Sequence, residues 1–350
     1  MEQIIKQVAG IDVAKKELVV TMGKMATDLK PKLYARKVFA NNPKGFESLT
    51  QWVATHATTG VEVRFIMEAT GVYHEPFAYF LDANQYPLSI VLPSRISNYV
   101  RTLEVKTVTD STSADAIALF GLERLIQAWK KPQKIYKTLR QLTRERGQLV
   151  VEATAVKNQL HAEEREAEPN AATLKRLQKR IAFIDQQETQ ILQEIKELIK
   201  GNEALKKVVT RLCTIPGIGI LTASIILAET NGFELIKSCR QLTSYTGLDV
   251  VEKESGTSVK AKPKISKKGN KYLRKAMHYP ALAAIRHDER FKAVYARTIA
   301  RHGIKMKAIV PVQRKLLELT YTLFKRQEDY NKDHFLKNAG SQTTQLEVTK

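Results

Sequence analysis

Three carboxylates, Asp12, Glu68 and Asp110, are far apart in the chain, the first two within or at the end of an apolar run and the third ahead of a helical stretch. Asp12 falls within Gly10-Ile11-Asp12-Val13, a strand pattern in which an unpaired acid is costly. It therefore needs a metal, a hydrogen-bond donor or an exposed strand end. Glu68 closes Val61–Met67 in the same manner, while Asp110 precedes a helical stretch and fits either a ligand or an N-cap. Ser113 would share a helix face with Asp110, whereas Asp115, five residues on, would point away from it. Magnesium takes oxygen ligands, and a paired-ion site can hold the attacking and leaving oxygens of a phosphodiester. Three acids on separate elements suit such a site.

A second constellation is Ser255-Gly256-Thr257-Ser258, followed by a dense run of lysines. Hydroxyls beside glycine in a basic segment can hold a phosphate or attack one. A serine becomes a good nucleophile only with a base, a metal or a strong local field, and no histidine is adjacent in sequence. Residues 253–275 carry nine Lys/Arg against one acid, including Lys260, Lys262, Lys264, Lys267, Lys268, Lys271 and Arg274. Upstream, Ile215-Pro216-Gly217-Ile218-Gly219 interrupts helical sequence in the manner of a helix-hairpin-helix element. Its Gly217 and Gly219 would let backbone N–H groups approach a phosphate, or would make an ordinary turn.

The bulk composition narrows the partner. The 350 residues hold 57 Lys+Arg against 36 Asp+Glu, a net charge of +21 that favours a polyanion over an acidic metabolite. Hydrophobic residues make up 43%, enough for two or three packed domains. Cys213 and Cys239 make neither a disulfide framework nor a zinc site. With no signal-peptide pattern and no long apolar run, a soluble cytoplasmic protein without membrane contact is expected.

Positioning these residues requires distinct elements. Residues 1–128 read as mixed α/β, with strands at Val8–Val13, Leu18–Met22, Val61–Met67 and Leu88–Leu92 and helices at Phe46–Trp52, Glu75–Leu81 and Ser113–Leu125. Over 129–200 the pattern becomes helical. Leu174, Leu177, Ile181, Ile184, Ile191, Ile195 and Leu198 form a heptad seam with Glu188 at the one polar position. The seam predicts an antiparallel coiled-coil hairpin, an oligomer interface or a helical spacer. Residues 201–330 read as helical around the serine loop, with helices at Tyr272–Ala284, Phe291–Arg301 and Lys307–Gln327, and 331–350 as a flexible tail.

Taken in order, Gly10-Ile11-Asp12-Val13-Ala14-Lys15, Met67-Glu68-Ala69-Thr70-Gly71-Val72-Tyr73, Lys106-Thr107-Val108-Thr109-Asp110, the Pro216-Gly217 turn, the serine motif and Ile265-Ser266-Lys267-Lys268-Gly269-Asn270-Lys271-Tyr272-Leu273-Arg274 resemble the IS110 family of transposases. The likeness is nearest the IS1111 subgroup, with the Piv DNA invertases as relatives. The resemblance implies a RuvC-like, ribonuclease-H-like α/β domain with a four-acid Mg2+ site, a coiled-coil insertion, and a helical C-terminal domain bearing a catalytic serine. Asp12, Glu68 and Asp110 match the first three acids. The fourth falls on Ser113 by register or on Asp115 by chemistry. Ser255 matches the nucleophile, with Ser258 as substitute, and the lysines would hold DNA. The resemblance further implies donor and target DNA as partners, a structured noncoding guide RNA, and a homodimer or tetramer. A water-using metal endonuclease and a non-catalytic nucleic-acid-bridging protein are the rival readings.

Overall fold

The computed structural model describes residues 3–69, 71–103, 109–234, 236–252, 254–255, 259–260 and 264–332. It divides into two compact units, Met1–Lys131 and Pro132–Lys350. The expected tail falls largely outside the described residues, as do Gly256, Ser258 and Lys262.

The first unit opens with three long strands, β1 (Ile4–Val13), β2 (Glu17–Ala26) and β3 (Pro31–Ala40). Helix α1 (Pro43–His56), strand β4 (Val63–Glu68), helix α2 (Glu75–Ala83), strand β5 (Leu88–Val91) and helices α3 (Pro93–Val100) and α4 (Asp110–Glu123) follow. The five strands form one sheet in the order β3-β2-β1-β4-β5. β1, β2 and β3 are antiparallel neighbours, whereas β4 runs parallel to both β1 and β5. This strand order and sense make the first unit a mixed α/β domain. Successive side chains leave opposite faces of a strand, so the sheet supports two cores. Phe46, Leu49, Phe77 and Leu81 of α1 and α2 cover Ile11, Val20 and Phe65 on one face. Ile96 and Tyr99 of α3, with Ile117 and Phe120 of α4, cover Val8, Ile66 and Val91 on the other.

Two elements of this unit depart from the sequence expectation. β3 occupies a sheet edge and is mostly exposed or half-buried, so its residues lack the apolar run that marks buried strands. Leu88–Val91 leads into α3 through Pro93, which starts that helix as well as ending the strand.

The second unit begins with two 30-residue helices, α5 (Lys134–Glu163) and α6 (Ala171–Lys200). They pack as an antiparallel hairpin, with Ala153 and Val156 buried against Ile184. Glu188, the polar member of the seam, accepts from Arg146 Nε at 3.0 Å and Nη2 at 2.7 Å. Farther along, Ile191, Ile195 and Ile199 join the main core of the unit. That core is built on α7 (Glu203–Cys213), α8 (Ile220–Thr230) and α9 (Cys239–Thr246). Four two-residue strands follow, β6 (Val250–Val251), β7 (Glu254–Ser255), β8 (Val259–Lys260) and β9 (Lys264–Ile265). Helices α10 (Lys271–Ala276), α11 (His278–His287), α12 (Glu289–His302) and α13 (Lys305–Arg326) complete the unit. The single helix expected over 272–284 is broken at Met277. Pro280 has no N–H with which to reach back to residue 276 and stands in the first turn of α11, where that loss costs least.

Candidate active site

The acidic site is set by one close approach. In the parallel pairing, Gly10 lies beside Ile66 and Ile11 beside Met67, which places Asp12 and Glu68 at neighbouring strand ends. Alternation puts both acids on the face covered by α4, since Val8 and Ile66 belong to that core. A Cβ on Gly10 would lie 2.3 Å from the Ala118 nitrogen and 2.7 Å from the Ala114 carbonyl oxygen. The missing side chain is what lets α4 rest directly on β1. Asp110 is one helical turn before Ala114 on the same face, so the helix brings it back over Asp12.

Thr109 fixes the start of that helix. Its side chain accepts from the Thr112 N–H, and Thr112 Oγ1 accepts from the Thr109 N–H at 2.7 Å, a reciprocal capping box. Asp110 then stands in the first turn, where the helix dipole favours an anion. Burial, followed by the Asp110 charge, raises the Asp12 pKa above its ordinary value, with the Val13 N–H opposing the rise. The structure thus brings Asp12 and Asp110 into electrostatic contact beside half-buried Glu68. Hard oxygen donors that repel one another fit a divalent cation, which would relieve the repulsion. Among the described residues, no group of three or more Asp, Glu, His or Cys side chains stands close enough together to hold a metal ion.

Asp115 is engaged elsewhere. It accepts from Thr21 Oγ1 at 2.8 Å and pairs with Arg36, on β2 and β3 respectively. Ser113 lies on the α4 face shared by Asp110 and Ile117, as its spacing requires.

In the second unit, Ser255 lies on a two-tiered β arm. Val250 and Val251 pair with Ile265 and Lys264 at the base, and Glu254 and Ser255 pair with Lys260 and Val259 beyond. Lys264, Lys267, Lys268 and Lys271 are exposed, whereas Arg274 Nη1 donates to the Thr246 carbonyl at 2.7 Å. The two turn glycines play different parts. Gly217 has φ +86, and a Cβ there would come within 2.3 Å of the Pro280 carbonyl oxygen, so it is needed for turn and packing. Gly219 is the exposed N-cap of α8, with open space where its Cβ would be.

One constellation escaped the sequence reading. Glu229 is 4% exposed on α8 and accepts from Arg144 Nε at 2.7 Å and Nη2 at 2.8 Å. Asn270 Nδ2 donates to the same carboxylate at 2.6 Å. A single Glu ending the apolar run Ile220–Thr230 was the available signal, because a buried acid demands partners.

A model for the DEDD transposase domain of IS110 elements, described as Transposase, matches residues 9–163. The Transposase IS116/IS110/IS902 family matches residues 209–296. A pilin gene-inverting protein of Moraxella bovis is 27% identical over 299 residues, covering 84% of this chain and 90% of that protein. The transposase for insertion sequence element IS1111A of Coxiella burnetii is 29% identical over 141 residues, 39% of this chain and 37% of that one. Thermus thermophilus RuvC in complex with a Holliday junction substrate aligns over 36% of this chain and 100% of its own, with 15% identity and a TM-score of 0.27. The class is that of DNA transposase and recombinase enzymes, and the chain belongs to the IS110 family of transposases.

Proposed function

We propose that this enzyme cuts and rejoins DNA through a transient covalent link to Ser255, assisted by Mg2+ held by Asp12, Glu68 and Asp110. The Ser255 hydroxyl attacks the scissile phosphorus and gives up its proton. A new Oγ–P bond forms, the bond to the departing sugar oxygen breaks, and that oxygen takes up a proton. Rejoining reverses the exchange, with a sugar hydroxyl displacing Oγ, so the phosphodiester energy is conserved. Bound magnesium would supply charge neutralisation to the phosphate oxygens. Lys264, Lys267, Lys268 and Lys271, with Lys260 and Lys262, hold the DNA backbone, and Gly217, Gly219 and Ser258 extend that contact. Donor and target DNA are the substrates, a structured noncoding RNA of the same element is the guide, and the working particle is a dimer or tetramer.

The observation that carries this reading is the desolvated Asp12 beside Asp110 at the crossing of β1 and α4, in a chain of a transposase family. A magnesium-dependent strand-cleavage and joining assay tests it, using donor DNA with and without the element's RNA. Asp12→Ala should remove cleavage by about a hundredfold or more, and Ser255→Ala should abolish joining. Undiminished cleavage by Ser255→Ala would assign the attack to water and make the protein an endonuclease. Full activity without RNA would remove the guide from the account.

A further inference from the structure

We propose that Glu229, with Arg144 and Asn270, is a positioning node that fixes the base of the arm carrying Ser255; this rests on the serine reading above. The three residues tie three elements together. Arg144 comes from α5, Glu229 from α8, and Asn270 from the turn between β9 and α10. Arg144 also stacks over the Tyr272 ring, 4.3 Å from its centroid, and the Tyr245 hydroxyl donates to the Glu229 carbonyl at 2.7 Å.

Asn270 transmits the contact to the arm. Its Oδ1 accepts from the Leu273 N–H at 3.0 Å as the α10 cap, and its own N–H donates to the Tyr245 carbonyl at 2.7 Å. From there the two flanks of the arm are closed rung by rung. Lys267 N–H donates to Gly247 O at 3.1 Å, Ser266 N–H to Asp249 O at 2.8 Å, and Ser266 Oγ to Asp249 Oδ1 at 2.6 Å. The β6–β9 ladder begins at the next pair, Val250 with Ile265. Gly269 permits the closure, since a Cβ there would lie 2.5 Å from Tyr245 O and 2.7 Å from Gly247 N. A buried charge adds little to stability over an apolar side chain of the same volume, but it enforces one geometry on its donors. Here that geometry runs unbroken from Glu229 to the base of the arm.

The test is a mutant cycle read by amide hydrogen exchange and by the rate of covalent adduct formation on cleavable DNA. Glu229→Gln keeps the shape but presents an amide N–H to donors. Asn270→Ser keeps a capping oxygen and removes the donor to Glu229. Each should raise exchange at 245–251 and 264–270 and slow adduct formation on the order of tenfold, with DNA affinity unchanged. Glu229→Gln combined with Asn270→Ser should change both readouts by less than the two single effects together, because each breaks the same contact. Wild-type protection in both single variants, or full additivity in the combined one, would overturn the node. If Glu229→Gln does not fold, Asn270→Ser alone decides by the same criterion. If the wild type forms no adduct, the serine reading fails, while the exchange data still judge the node.

Discussion

At the scale of single residues, the proposed chemistry depends on which carboxylates face one another. Asp12 is held above its ordinary pKa by burial and by Asp110. Its folded pKa therefore exceeds the unfolded value of about 3.9, and the folded state binds the proton more tightly. Stability should decline as pH rises through the window between those two values and level off above the folded pKa. Asp12→Asn should remove that decline and stabilise the metal-free protein at neutral pH. Urea titrations across pH check this, and equal slopes in the two proteins would contradict it. Asp115 separates from this pair because Arg36 and Thr21 already engage it. Asp115→Asn should cost about 0.5–1 kcal/mol, as expected for a partly exposed ion pair, and leave stabilisation by Mg2+ intact. Asp110→Asn should abolish that stabilisation, and the reverse outcome would make Asp115 the ligand. Asp12 and Glu68 were legible because each interrupts or ends an apolar run, and Asp110 because it precedes a helical stretch. It could not show Asp115's partners, which sit on β2 and on an edge strand that the pattern does not reveal. Glu229 was missed for a related reason, since Arg144 and Asn270 reach it from distant parts of the chain.

At the scale of elements, the contact of α4 with β1 positions the acidic site. A methyl group on Gly10 meets backbone of α4, which has nowhere to retreat without lifting off the sheet. Gly10→Ala should destabilise the first unit by about 2 kcal/mol and weaken Mg2+ binding as Asp110 moves from Asp12. At Gly121 the added carbon would meet the flexible end of Ile66 at 2.0 Å, so Gly121→Ala should cost less. Denaturant midpoints of the two variants check the order, and a larger loss at Gly121 would contradict it. The long elements were legible where burial imposes a period, as in β1, β2 and the α5–α6 hairpin. The seam's polar position shows how a pattern marks a site without naming its partner, because Glu188 required Arg146 from the facing helix. The split at Met277 places Pro280 in the first turn of α11, where a missing N–H is tolerated, whereas α13 runs on through Pro311.

At the scale of the molecule, the net charge of +21 and the two family matches point the same way, to an enzyme that handles DNA. No helix among the described residues is long and apolar enough to cross a membrane. The proposed reaction takes its acids from the first unit and its attacking hydroxyl from the second, so either unit alone should be inactive. The two-tiered arm around Ser255 was not legible in the sequence, because strands of two residues leave no periodic signal. The most direct test is mass spectrometry of the protein after stalled cleavage of donor DNA in the presence of Mg2+ and the element's RNA. A nucleotide-phosphate linkage on the peptide containing Ser255, absent from Ser255→Ala, is the predicted result. Cleaved DNA with no protein-bound phosphate, or a linkage that persists in Ser255→Ala, would contradict it.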